Sequence, residues 1–254
     1  QMSKINDEEK AKANLEAAVI AEKLWDQAND VSSAHPYLVS KKVDAFGIKH
    51  NGQKLLIPLR DHKGKLWSFQ EIDHKGNKLF LKNGKVKGLF HNIGEQTDVI
   101  YIGEGYATMS SIHVATGKAC VVAFNAGNLR DVCSQVRSSY PDNEIVVCAD
   151  DDHMTKGNPG LTKAREAALE IGAGLAAPDF GETRGSGETD FNDLHRVKGL
   201  EAVRAGVELN RLNPQDLVNE TDVAVLATLA SNWEAEPEPA VSYTHLTLPT
   251  IAIV

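Results

Sequence analysis

This chain has no apolar run near the ~20 residues that a bilayer-spanning helix needs, and its start, Gln1-Met2-Ser3-Lys4, has no basic-plus-apolar leader. Those absences leave no motif for a membrane partner. Cysteine is scarce: Cys120, Cys133 and Cys148 lie in apolar or helical contexts without paired metal-ligand spacing. They are expected to be buried free thiols of a cytoplasmic protein, and no zinc site is expected within these residues. Aromatics are also few, at 6%, but the 42% hydrophobic and 24% charged fractions are those of an ordinary globular chain. At 254 residues there is room for one large or two small domains with a real core.

The net charge of −8 hides an uneven distribution. Residues 41 to 90 hold 12 Lys/Arg against 4 Asp/Glu, which leaves 15 against 31 elsewhere, so a basic module is joined to an acidic one. Overall charge therefore does not exclude a nucleic-acid partner.

Residues 1 to 40 read as an N-terminal helical segment. Ala11, Leu15, Ala18, Val19, Leu24 and Trp25 recur at helical spacing over Glu8 to Ala28, and Pro36 disfavours helix at His35, which is read as structural. Residues 41 to 96 read as a basic antiparallel meander. Gly-containing turns separate Leu55–Leu59, Leu66–Phe69 and Leu79–Leu81, and Asp-His-Lys-Gly occurs at both 61–64 and 73–76 as two similar hairpin turns. The lysines at 78, 82, 85 and 87 suit a phosphate-facing surface, or more plainly a solvated edge that resists aggregation.

From Val99 the rhythm alternates strand and helix. The runs Val99–Gly105, Ala119–Phe124 and Ile145–Ala149 read as strands buried on both faces, with a weak fourth at 174–177. Helices are expected over Tyr106–Thr116, after a cap at Asn128, over Leu161–Ile171 behind Asn158-Pro159, and near Gly199–Asn210. That alternation indicates a parallel sheet flanked by helices. Residues 97 to 210 form this domain and 211 to 240 read as an acidic, Pro-bearing linker. Residues 241 to 254 are expected to be foreign: Val241–Thr250 can be encoded by DNA resembling a tagmentation adapter used in shotgun sequencing, so the tail is set aside.

The chemistry gathers at strand ends. Glu104 ends the first strand, and Asp150-Asp151-Asp152 ends the third, where ligands collect in open α/β sheets. Carboxylates without a cation among them repel one another, so a hard divalent metal is their natural occupant. The plainer reading is that the aspartates cap a turn, but three in succession exceed that need. Gly103-x-Gly105 is a poor dinucleotide motif, because Thr108 stands where the third glycine would be and Glu104 would repel a pyrophosphate.

Glu104, Asp150-x-Asp152 and the later Asp190, in that order, resemble the Toprim domain of bacterial-type primases, topoisomerases and some nucleases. The resemblance implies Glu104 as general acid or base. It also implies a Mg²⁺ (or Mn²⁺) site at Asp150, Asp152 and Asp190 in which Glu104 shares, with Asp193 as the alternative late acid. Leu55–Gly64 with Phe69 and Lys78–Lys82 looks like the basic subdomain that precedes Toprim in primases. That implies phosphate contacts from Arg60, Lys78 and Lys82 to a single-stranded DNA template and to NTPs. Asn158-Pro159-Gly160 and Thr189–Asp193 are most similar to plasmid- and prophage-encoded primases, which often carry an upstream zinc module and sometimes a helicase, in cis or in trans. The expected activity is primer synthesis by metal-dependent nucleotidyl transfer. The alternatives are a Toprim nuclease or a non-catalytic nucleic-acid-binding accessory of a mobile element. Nothing in the chain supplies the tyrosine domain of a topoisomerase.

Overall fold

The computed structural model describes residues 2–219 except Gln53. The tail at 241–254 and most of the segment read as a linker lie outside the described residues. Helix α1 (Met2–Gln27) is followed by strand β1 (Asn29–Asp30), helix α2 (Pro36–Lys41), β2 (Lys49–His50), β3 (Leu55–Arg60), β4 (Leu66–Ile72) and β5 (Lys78–Phe80). These five strands form one antiparallel sheet in sequential order.

The two Asp-His-Lys-Gly segments are indeed paired hairpin turns. Asp61 Oδ1 accepts from the Lys63 and Lys65 amides at 2.9 and 3.1 Å, and Asp73 Oδ1 accepts from Lys75 and Asn77 at 2.8 and 2.9 Å. Gly64 and Gly76 then take φ of +81° and +88°, which a side chain would strain. Helix α1 lies on β4 and buries Ala17, Ala18 and Ala21. Leu15 and Val19, expected on that inner face, are 51% and 67% exposed. The contact stripe is made of alanines, which let the helix approach the sheet closely, so the bulkier neighbours turn outward.

The second sheet holds β6 (His91–Ile93), β7 (Val99–Gly103), β8 (Ala119–Val122), β9 (Glu144–Cys148) and β10 (Gly174–Ala176) in the order β10-β9-β7-β8-β6. All neighbours are parallel except β6, which pairs antiparallel with β8. The sheet therefore begins upstream of residue 97, at a strand the sequence reading left in the basic meander. Helices α3 (Tyr106–Thr116), α4 (Ala126–Ser139), α5 (Pro159–Ile171), α6 (Phe191–Lys198) and α7 (Leu200–Glu208) cover it.

Because side chains alternate across a strand, Tyr101, Val146 and Cys148 pack with α3, α6 and α7, while Ile100, Ile102, Ile145 and Val147 pack with α4 and α5. All three cysteines are buried free thiols, as expected. Asn125, not Asn128, caps α4, its side chain accepting from the Asn128 amide at 3.1 Å. Asn128 is instead buried, donating to Leu89 O and Ala123 O at 2.9 Å each and accepting from Gly88 N at 2.7 Å. It thereby ties the end of the basic segment to the second sheet. Nor does the chain leave the sheet at 211: Leu212 and Leu175 exchange backbone hydrogen bonds of 2.8 and 2.9 Å, and Leu217 is fully buried.

Candidate active site

Strands β7 and β9 are direct neighbours, with Gly103 opposite Cys148. Glu104 and the Asp150–Asp152 segment therefore leave the sheet side by side. The chain runs from β7 into α3 on one face and from β9 towards α5 on the other. That divergence opens the crevice where ligands bind in parallel sheets. Close approach requires the glycines here: a Cβ on Gly103 would meet Met109 Sδ at 2.6 Å and Cys148 O at 3.0 Å.

The Asp triplet divides its work. Asp151 is tied down: Arg184 pairs with its Oδ2 and donates to its carbonyl at 2.7 Å, and Asn158 Nδ2 donates to Oδ1 at 2.5 Å. Asp150 and Asp152 turn the other way. Asp152 Oδ2 accepts only a long bond, 3.2 Å, from Gly160 N. A Cβ on Gly160 would stand 2.5 Å from Asp150 O and 3.0 Å from Asp152 Oδ2, so the glycine of Asn158-Pro159-Gly160 lets the start of α5 lie against the acids.

Burial first, then the charges of Glu104, Asp190 and Asp152, push the Asp150 carboxyl well above the usual carboxylate range. Burial and Asp152 push Glu104 up to about 7, with the Ala126 amide and Lys78 pulling against them. Asp190 is raised by burial and by Asp193. It is also the N-cap of α6, with Oδ1 accepting from Asp193 N at 2.8 Å and Oδ2 from the Thr108 hydroxyl at 3.1 Å. Of the two candidate late acids, Asp190 is the one whose charge reaches Asp150, while Asp193 is turned towards Thr189 N and Arg196.

The cations divide as well. Lys78 Nζ lies 4.0 Å from where a Cβ on Gly105 would stand, and its charge reaches both Glu104 and Asp150. Arg60 instead donates to Gly64 O at 2.9 Å, stacks on Trp25 at 5.5 Å and lines a separate cleft of about 500 Å³ with His91 and Tyr140. Lys82 is exposed beyond the end of β5. Sequence reasoning missed Arg184, Thr108 and Asn192. Each lies far along the chain from the group it holds, and only Asn192 falls in a motif, Thr189–Asp193, that the sequence marks.

The donor set fits a divalent ion. Glu104 Oε1 and Asp150 Oδ1 are sealed from solvent with no hydrogen-bond partner, and hard carboxylate oxygens are what Mg²⁺-like cations take. Among the described residues no three His, Cys, Asp or Glu groups are already drawn to ligating distance.

Residues 99–201, which hold the parallel strands of this sheet and its acid-tipped crevice, match the Toprim domain family. Over a longer stretch the chain resembles DNA primases. It is 32% identical over 230 residues to the DNA primase TraC of Escherichia coli, covering 80% of this chain and 22% of that protein. It is similar in fold to a DnaG primase catalytic domain bound to ssDNA, with a TM-score of 0.57 at 13% identity and 83% of each chain covered. It is also similar to the RNA polymerase domain of Mycobacterium tuberculosis primase DnaG, with a TM-score of 0.52 at 17% identity and coverage of 89% and 91%. The chain thus spans about a fifth of TraC, at 22% of its length. A Toprim domain of the kind found in primases implies use of a divalent metal.

Proposed function

We propose that this chain is the catalytic core of a DNA primase, joining NTPs into short primers on a single-stranded DNA template. The supporting observation is that Lys78 of the basic sheet reaches the same buried acids, Glu104 and Asp150, that end the strands of the parallel sheet. Phosphate-binding and metal-binding halves thereby meet at one crevice.

Asp150, Asp152 and Asp190 would hold Mg²⁺ or Mn²⁺, with Glu104 beside them. Such an ion, when bound, neutralises phosphate charge and polarises the α-phosphate. Glu104, raised to about 7 by burial and Asp152 before any ion binds, would accept the proton of a 3′-hydroxyl as that oxygen attacks the α-phosphate and pyrophosphate leaves. Lys78 would neutralise the triphosphate. Lys82, and Arg60 in its separate cleft, would grip the template backbone. The basic module at 41–96 and the Toprim domain at 97–210 would carry these two roles, the first lending β6 to the sheet of the second and Leu212 extending its far edge. A plasmid or phage replication setting, a helicase in cis or in trans and a cytoplasmic location belong to the same proposal. Among the described residues no helix is long and apolar enough to cross a membrane.

One assay tests it: single-stranded template, labelled NTPs and Mg²⁺ or Mn²⁺, scored for oligonucleotide synthesis, strand degradation or binding alone. Synthesis that is abolished by Glu104→Ala and by Asp150→Ala is expected. Degradation would assign a nuclease, and binding alone an accessory protein.

A further inference from the structure

Tyr37 is 2% exposed, and its hydroxyl is a buried polar atom with no hydrogen-bond partner. Such a group costs on the order of 1–3 kcal/mol relative to a satisfied one, so its presence calls for a use. The ring rests on the β4–β5 turn, 3.7 Å from where a Cβ on Gly76 would stand. The charged or polar groups that its hydroxyl feels are Asp190 and Tyr106. Tyr106 is already engaged: its hydroxyl accepts from Phe46 N at 2.7 Å and donates to Asp44 O at 2.8 Å.

Asp190 is the stronger acceptor of the two, and it begins α6. Each of its oxygens takes one donor, Asp193 N or Thr108 Oγ1, and each retains a second lone-pair direction. Helix α2, which carries Tyr37, is also fastened to α6 independently. Asn192 Nδ2 donates to Lys41 O at 2.7 Å and to Ser111 Oγ at 3.0 Å.

We propose that Tyr37 is a positioning residue of the acid site, its hydroxyl donating to the Asp190 carboxylate when a divalent ion engages the Asp150–Asp190 pair. This rests on the metal reading of these acids given above. Donors behind a ligating carboxylate orient it, and losing one typically weakens metal binding about 10- to 100-fold. Metal affinity would then depend on a short helix upstream of the acid-bearing strands β7 and β9.

The test is a Mn²⁺ titration of the full chain followed by electron paramagnetic resonance, which counts free ion directly and needs no turnover. Tyr37→Phe is expected to weaken Mn²⁺ binding about tenfold. The metal-free melting temperature should stay equal or rise, because the deleted hydroxyl is unpaired. Asp150→Asn should abolish binding. Equal affinity in parent and Tyr37→Phe, with binding still sensitive to Asp150→Asn, overturns the role of Tyr37 alone. A clear fall in the metal-free melting temperature of Tyr37→Phe also overturns it, by showing that the hydroxyl is structural. Absence of Mn²⁺ binding in the parent overturns both this proposal and the reading of the acids beneath it.

Discussion

Arg184 grips Asp151 at two points, pairing with its carboxylate and donating to its main-chain carbonyl at 2.7 Å. The middle aspartate of the triplet is thereby locked away from the crevice, and the turn presents its two neighbours to it. A fork that binds side chain and backbone of one residue fixes that residue's orientation, which a point charge could not do.

Arg184→Lys should therefore not substitute well. Half-exposed pairs contribute little, but this pair is mostly shielded, so a loss of about 1–2 kcal/mol is expected. Asp150 would be displaced at the same time. Denaturant unfolding and primer synthesis, measured on the same protein, check both effects. Burial alone raises the Asp151 carboxyl, but Arg184 and Asn158 outweigh it and hold it below the usual range. The stability from this pair is present above the ordinary carboxylate pKa and is lost as pH falls below it. Arg184→Lys should flatten the acid limb of stability.

Glu104 behaves in the opposite sense. Its folded value of about 7 stands above the ordinary 4.5, so the folded state prefers the protonated carboxyl. In chelator the parent should be most stable below about pH 4.5 with respect to this group, losing up to ~3 kcal/mol as pH rises towards 7. Glu104→Gln should remove that slope, and Mg²⁺ should restore more stability to the parent than to the variant, which keeps Asp150, Asp152 and Asp190. Thermal melts between pH 4 and 8, with and without Mg²⁺, read all three outcomes.

Gly160→Ala should be severe for its size. The new methyl would stand 2.5 Å from Asp150 O, which is backbone and cannot give way cheaply. A cost of about 1–3 kcal/mol is expected from overpacking, together with weaker Mn²⁺ binding. Gly187→Ala, which meets nothing within 4 Å, is the control and should be near neutral by urea unfolding.

Asp190 and Asp193 are separable by amide substitution. Asn caps helices as well as Asp does, so Asp190→Asn should keep α6 and a near-parental melting temperature while losing most Mn²⁺ binding. Asp193→Asn should bind Mn²⁺ as the parent does. The reverse pattern would make Asp193 the late acid.

Much of the architecture could be read along the chain, because strands buried on both faces, Gly turns and Asx caps write themselves into adjacent residues. Helix α3 keeps its expected range, Tyr106–Thr116, and β7 lies within the run Val99–Gly105 read as a strand. The local rules failed where partners are distant. Leu15 and Val19 have helical spacing, but only the sheet beneath α1 selects which stripe is buried. Asn128 looks like a cap until Gly88 and Leu89 arrive to use its amide. Three bare residues, His91–Ile93, become a strand only because β8 offers an open edge.

The same boundary runs through the site. Acid-tipped strands, and the order Glu104, Asp150, Asp152, Asp190, are local facts about which residues end which runs, and they suffice to point to a hard cation. That Asp151 is withdrawn, that Arg60 lies in a cleft apart from Lys78, and that Asp190 rather than Asp193 reaches Asp150 were settled by folding. Electrostatic energy and hydrogen bonding depend on distances in space, and a linear chain does not carry those until its sheets have packed.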